Sequence, residues 1–476
     1  MKRIITIVFL LSTSLASMCQ VELKKDSIEK FAYHIQQTLV GQSASDKGLT
    51  ELQKKGTLGQ NEYGNAFNDA NLKVSLSATF YLGWKLWKYG SIYINPDIAG
   101  GSGLGGTVGV AGYVNGEIFR VGNPSPSPYI SRAFIRQYIP LSKDSYYQEG
   151  SANQLGEVVP TKRLQLTIGK FTLADMFDCN HYSHDPRTRF LNWSLMNAGA
   201  YDFASNTKGY TYGVVVEYIT PKFSARSGIG EHPQYSNGPL NLKRSASMMD
   251  MESEMFKNGN KKDSIGYGLN FEIEKPFKLK SGKPSIIRLL FFINNVNAGK
   301  YTDAMDYVKI HGPDTSFVNN APTAMYMVRK THSIKYGLSL NLEQPIGKHA
   351  GMFSRLSWND GKTESFAFAE IDRSASIGFV LHGTAYNRYH DRIELAGVVN
   401  GISREHKSYL ESGEVGFMLG EPGLKYSPEY IFEFQYVYDL GKNFMVSPDY
   451  QFIMNPGYDM NRSPIHVFGI RTHIEF

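Results

Sequence analysis

The sequence predicts an all-β chain: a single closed antiparallel transmembrane β-barrel of about sixteen strands, with eighteen possible, long extracellular loops and short periplasmic turns. Three observations predict it. Apolar and polar residues alternate with a period of two, not 3.6, along segment after segment. The chain begins like an exported protein. The apolar faces carry aromatic residues, as the lipid–water boundaries of a barrel require. A soluble sandwich also alternates, with its apolar face packed on a second sheet. Strands of about ten residues or more behind an export signal favour the membrane, where a sheet satisfies every backbone N–H and C=O only by closing.

The N-terminus reads as a signal peptide over 1–19. Met1-Lys2-Arg3 is basic, and 4–15 is an apolar core too short for a permanent anchor. Ser17 and Cys19 occupy the two recognition positions for cleavage before Gln20, which leaves 20–476 as the barrel. Lipidation of Cys19 is the alternative, although Met18 fits it poorly.

The alternation is clearest over 72–86. Leu72, Val74, Leu76, Ala78, Phe80, Leu82, Trp84 and Leu86 share one face, and Lys73, Ser75, Ser77, Thr79, Tyr81, Gly83 and Lys85 the other. Segments 210–218, 265–273, 334–342, 430–440 and 468–476 follow the same rule. Phe80 and Trp84, or Tyr430 and Tyr438, serve as interfacial aromatics. The spans begin with 30–40, 71–87, 90–98, 128–140, 161–171, 208–219, 222–230 and 264–275. They continue with 284–296, 332–343, 350–359, 368–382, 390–402, 427–440, 443–454 and 464–476. An even count puts both ends on the periplasmic side. Short connections include Lys88-Tyr89, Pro221 and Gly441-Lys442; long ones are 41–70, 99–127, 172–207, 231–263, 297–331 and 403–426. Segment 231–263 leaves room for another strand pair, so fourteen and eighteen stay open. The last strand alternates and stops on Phe476, the ending that outer-membrane barrels present to their assembly machinery.

Composition removes other classes. A net charge of +6 over 476 residues gives no case for nucleic acid. Two cysteines exclude a disulfide scaffold. A mean hydropathy of −0.31 and the lack of any 20-residue apolar stretch exclude a helical membrane bundle. No G-x-S-x-G elbow or P-loop is present, so neither an enzyme nor a cofactor is expected. Cys179, His181, His184 and Asp185 cluster in sequence, but their spacing has no standard zinc geometry, so no metal is expected.

Specific segments carry a family resemblance over nearly the whole mature chain. They are Phe80 to Trp87 with Tyr93 to Gly101, Asn115-Gly116-Glu117-Ile118-Phe119-Arg120-Val121-Gly122, and Gly169-Lys170-Phe171 with Asp178 to Asn180. The third continues through His184-Asp185-Pro186-Arg187-Thr188, Phe190-Leu191-Asn192-Trp193 and Gly209 to Gly213, and the last is Asp449 to Pro456. In these the sequence resembles the OprB-type carbohydrate-selective porins. The resemblance implies a barrel in the bacterial outer membrane, surrounded by its lipid. Neutral mono- or oligosaccharides would diffuse through a narrowed, partly charged pore. A general or other-substrate porin, a barrel enzyme and a purely structural barrel are the alternatives.

A barrel this wide holds water unless something narrows it. Loop 172–207 is the expected plug. Phe177, Tyr182, Phe190, Trp193, Tyr201 and Phe203 would bury themselves against the wall, or else pack as the loop's own core. Arg187 is expected to pair with Asp185 or Asp178. Arg132 and Arg136 share a face with Phe134, opposite Ser131, Ala133 and Ile135. An arginine in lipid costs about 2–4 kcal/mol at the midplane, so both should point inward. Asp97, Glu117 and Glu217 are their expected partners. The pore-lining candidates are therefore Asp97, Glu117, Arg120, Arg132, Arg136, Asp185, Arg187 and Trp193. Their guanidinium and carboxylate groups suit sugar hydroxyls, and their rings suit sugar C–H faces.

Overall fold

The structure is a computed structural model. It describes residues 28–44, 72–101, 104, 109–119, 125–233, 236, 238, 240, 266–278, 284–314, 316–318, 321–366, 369–420, 424–441 and 443–476. The signal-peptide segment 1–19, Arg120 and most of 231–263 lie outside these residues.

Sixteen antiparallel strands close into one barrel. They are β1 (Phe31–Ala44), β2 (Lys73–Trp87), β3 (Gly90–Gly100), β4 (Ser127–Pro140), β5 (Arg163–Phe171), β6 (Thr211–Ile219), β7 (Ser224–His232) and β8 (Gly266–Lys278). The second half is β9 (Pro284–Ala298), β10 (Lys330–Ile346), β11 (Ala350–Asn359), β12 (Arg373–His382), β13 (Arg392–Gly401), β14 (Glu429–Asp439), β15 (Phe444–Met454) and β16 (Ile465–Glu475). Each pairs with its neighbour in sequence, and β1 pairs with β16 from Gln36↔Glu475 to Ala44↔Val467. β7 pairs directly with β8, so no further barrel strand fits between them. This decides between fourteen, sixteen and eighteen.

The alternation sets the two faces. On β2, Ser75, Ser77, Thr79 and Tyr81 are buried toward the lumen, while Val74, Leu76, Ala78 and Phe80 face out. On β14, Ile431, Glu433 and Gln435 are inside, and Tyr430, Phe432 and Phe434 are exposed outside. Outward aromatics cluster at the strand ends: Phe31, Trp84, Trp87, Tyr218 and Tyr438 near the terminus-bearing end, and Tyr267, Tyr336, Trp358 and Tyr430 near the other. Phe80 stands mid-strand, opposite Ile35, so it belongs to the acyl-chain band and not to a girdle. A spin label at Leu76→Cys is accordingly expected to sense lipid, and one at Ser77→Cys to sense water. Power-saturation EPR with oxygen and a nickel chelate reads the difference, and the reverse pattern would overturn the face assignment.

Three departures from the sequence reading have physical causes. β12 starts at Arg373 rather than 368, because Phe366 and Ile371 turn inward and are 1% exposed. Asp372 ends that turn by accepting the Ser403 N–H at 2.8 Å and bonding His406 Nδ1 at 3.0 Å. In β4, Asn95 pairs with Arg132 and Pro96 with Ile130, which leaves Ser131 as an extra residue. This bulge turns Ser131 away from the lipid face expected for it. It is fully buried, and its hydroxyl donates to the Asn95 carbonyl at 3.1 Å.

The connection 141–162, on the short-turn end, carries the third departure. It holds a hairpin of Ser145–Gln148 with Glu157–Pro160 and folds inward. Leu155 is fully buried, and its N–H donates to the Tyr93 hydroxyl at 3.3 Å. Lys85 pairs with Glu157, and the Gly156 N–H reaches Glu29 at 2.6 Å.

From the other end, segment 172–207 packs against the inner wall nearly all the way round. The Asp178 N–H donates to Glu272 on β8 and the His181 N–H to Glu343 on β10. Glu433 on β14 accepts from Leu191 at 2.6 Å and Asn192 at 3.0 Å. Arg471 on β16 holds the carbonyls of Pro186 and Arg189. Phe177 and Phe190 are fully buried, with Tyr201 and Phe203 nearly so. Lumen carboxylates and amides thus replace the water that the loop's backbone would otherwise bind.

A candidate pore site between two inward folds

A cavity of about 520 Å³ remains along the β1–β5 wall. Seven of the eight expected residues line it: Asp97, Glu117, Arg132, Arg136, Asp185, Arg187 and Trp193. Arg120 lies outside the described residues. The hairpin contributes Asn153 and Gln154 to one end of the cavity, and the 109–119 segment contributes Tyr113 and Glu117.

The partners differ from those expected. Arg132 grips Asp175 with Nε and Nη2, both at 2.6 Å, and sits 5.3 Å from the Tyr210 ring centre. Arg136 donates to the Asn153 carbonyl at 2.9 Å and lies over the rings of Tyr93 and Phe134. Neither uses Asp97, Glu117 or Glu217 as its hydrogen-bond partner. Asp97 accepts from Thr79 at 3.1 Å, and Glu217 pairs with Arg226 at 3.3 Å. The reason is geometric: Asp97 and Glu217 stand on the wall beside other donors and Glu117 meets Arg187, while Asp175 and Asn153 arrive on the inward folds.

Arg187 does not hold the loop to itself. Its Nε donates to Glu117 at 2.9 Å, Nη1 to Gln36 at 3.0 Å and Tyr81 at 2.9 Å, and Nη2 to Thr79 at 2.8 Å. It therefore ties the 172–207 segment to β1, β2 and the 109–119 segment. Asp185 instead accepts the Arg187 N–H at 3.0 Å and the Thr188 hydroxyl at 2.7 Å. Asp178 pairs with Arg355 on β11 at 3.1 Å.

Electrostatics in the loops follow from burial and partners. Burial pushes the Glu117 carboxyl above the ordinary range, against the pull of Arg187. Burial opposes ionisation of Asp185 too, but hydrogen bonds, first from the Thr188 hydroxyl and also from the Arg187 N–H, hold it below that range. Burial, then Arg355, lowers His184, which stays neutral at neutral pH. Burial pushes the Cys179 thiol up to about 12, so it offers no thiolate. Among the described residues, no group of three or more His, Cys, Asp or Glu is placed to hold a metal.

Trp193 begins a four-residue helix, Trp193–Met196, and stacks with Tyr113 at 5.1 Å and with Phe203 at 6.1 Å. Its ring is engaged by two aromatic neighbours. Several lining residues are not among the eight pore-lining candidates of the sequence. Tyr129 and Tyr210 stand 6.1 Å apart, and Lys208 lies 4.0 Å from the Tyr129 ring centre. The bulge at Ser131 is what brings Tyr129 and Arg132 to the same side.

The family model for "Carbohydrate-selective porin, OprB family" matches residues 64–476. The chain belongs to that family. The OprB of Pseudomonas putida, in its high-pH structure, shares this fold with a TM-score of 0.65, 16% identity and 94% coverage of both chains. The outer membrane channel DcaP of Acinetobacter baumannii gives a TM-score of 0.50 at 9% identity, over 96% of this chain and 100% of that one. No curated protein matches the chain. This OprB-family barrel is thus a porin of the bacterial outer membrane, and its relatives are channels rather than enzymes.

Proposed function

We propose that neutral mono- or oligosaccharides diffuse through this porin along the cavity, and that its lining selects them. One observation carries the reading. Four cationic side chains (Arg132, Arg136, Arg187 and Lys208) and four acidic ones (Asp97, Glu117, Asp175 and Asp185) line the same 520 Å³, with tyrosines between them. That volume lies in the range of small-ligand sites. Balanced charge attracts neither anions nor cations, while it orients water and disfavours apolar solutes. Tyr129 and Tyr210 supply rings for sugar C–H faces.

The same reading covers the other partners. The exposed Phe468 and Ile470 on β16 suit contact with outer-membrane lipid. Phe476 exchanges two backbone hydrogen bonds with Ile35, both at 2.9 Å, so it sits at the barrel's closing seam. That position suits engagement by the assembly machinery.

Swelling of liposomes carrying the protein tests the cargo. A neutral hexose is expected to enter faster than gluconate, a sugar acid of similar size. Equal or faster entry of the acid would favour a general or anion-selective pore.

A further inference from the structure

Arg132 and Arg187 are held on carboxylates within the cavity, whereas three neutral polar side chains along it carry unpaired atoms. Arg187 aims three nitrogens at four protein acceptors, and Arg132 holds Asp175 with two. Asn197 contrasts with them. It is 2% exposed, yet neither Oδ1 nor Nδ2 has a hydrogen-bond partner. Thr167 Oγ1, on a side chain from a residue 1% exposed, is also unpaired, as is Nδ1 of His184. All three residues line the cavity. Buried polar groups in proteins are nearly always hydrogen-bonded, so these three, beside unpaired Asp97 Oδ1, Arg136 Nε and Asn153 Oδ1 on the same lining, call for a ligand-side explanation.

We propose that Asn197, with Thr167 and His184, forms the subsite that reads adjacent hydroxyl groups of the sugar. The inference rests on the sugar-porin reading and adds to it the contacting residues and the feature they recognise. A carboxamide presents an acceptor and donors side by side, and two neighbouring hydroxyls of a pyranose each donate and accept. A neutral hydroxyl competes poorly for a guanidinium already on a carboxylate, because charge-assisted hydrogen bonds are about twice as strong as neutral ones. The unpaired amide has no such competitor.

The frame behind Asn197 is rigid. Its N–H caps the short helix on the Trp193 carbonyl at 3.1 Å, and Asp178 accepts the next N–H, that of Ala198, at 2.7 Å. Asp178 is itself fixed by Arg355 and by Asn341 at 2.7 Å. The amide is thus presented by a preorganised backbone, as a weak but selective site requires.

The test uses the full-length protein in planar bilayers, with glucose and triethylene glycol as probes. Triethylene glycol is neutral and of similar size but has no adjacent hydroxyl pair. Each channel's response is normalised to its own open current. Asn197→Ala is expected to weaken the apparent affinity for glucose about threefold to tenfold and to leave the response to triethylene glycol as in wild type. Thr167→Val, nearly the same shape, is expected to act in the same direction and guards against a folding defect in the first variant. Saturable block by glucose in wild type with unchanged affinity in both variants would overturn this subsite alone. No saturable block in wild type would overturn the sugar-porin reading beneath it.

Discussion

Replacing Arg355 by alanine is expected to release the 172–207 segment from the lumen and open the channel. Arg355 and Asp178 are 2% and 1% exposed at their side chains. Besides Asp178, the guanidinium holds the Ser183 hydroxyl at 2.6 Å and the Leu195 carbonyl at 2.9 Å. Removing one member of such a pair leaves a buried charge without compensation, at a cost of about 3–5 kcal/mol. The backbone ladder of the barrel does not use this side chain, so the cost falls on the inward fold. Single-channel conductance should rise while the protein keeps the heat-modifiable gel mobility of a closed barrel. Asp178→Asn added to the alanine variant should restore part of the loss, since it removes the stranded charge. Wild-type conductance in Arg355→Ala would show that the segment is held elsewhere.

Arg187→Ala is expected to make the pore cation-selective. The lining then carries four acids against three cations, and Glu117 loses the guanidinium 2.9 Å away. A unit charge at about 4 Å is worth about 1 kcal/mol even in bulk water and about 4 kcal/mol near protein. A shift in cation preference of several-fold is therefore expected in the reversal potential across a KCl gradient. An unchanged potential in correctly inserted protein would place Arg187 away from the ion path.

The barrel was legible in the sequence because each strand answers to one rule. Lipid on one side and polar lumen on the other force the period of two, and every one of the sixteen spans has its strand. What lies inside the barrel obeys no such period. Segment 172–207 announced itself by its aromatics, but its anchors Glu272, Glu343 and Glu433 sit on distant strands, each in an ordinary alternating position. The hairpin in 141–162 is too short to show a pattern, and Asn153 looks like any turn residue. Arg132 and Arg136 were placed inward by the cost of charge in lipid. Their partners come from inward-folding connections, whose reach local sequence does not encode. Asn197, in Asn-Ala-Gly, reads as a turn; only its burial without a partner distinguishes it.

The most direct measurement is ion current through single reconstituted channels titrated with neutral sugars. A porin with a narrow, charge-balanced site binds its cargo weakly, because cargo must also leave. The current should fall along a saturable curve with a millimolar midpoint, about −4 kcal/mol. A shallow fall that tracks only the viscosity of the solution, for every sugar tried, would contradict the carbohydrate assignment.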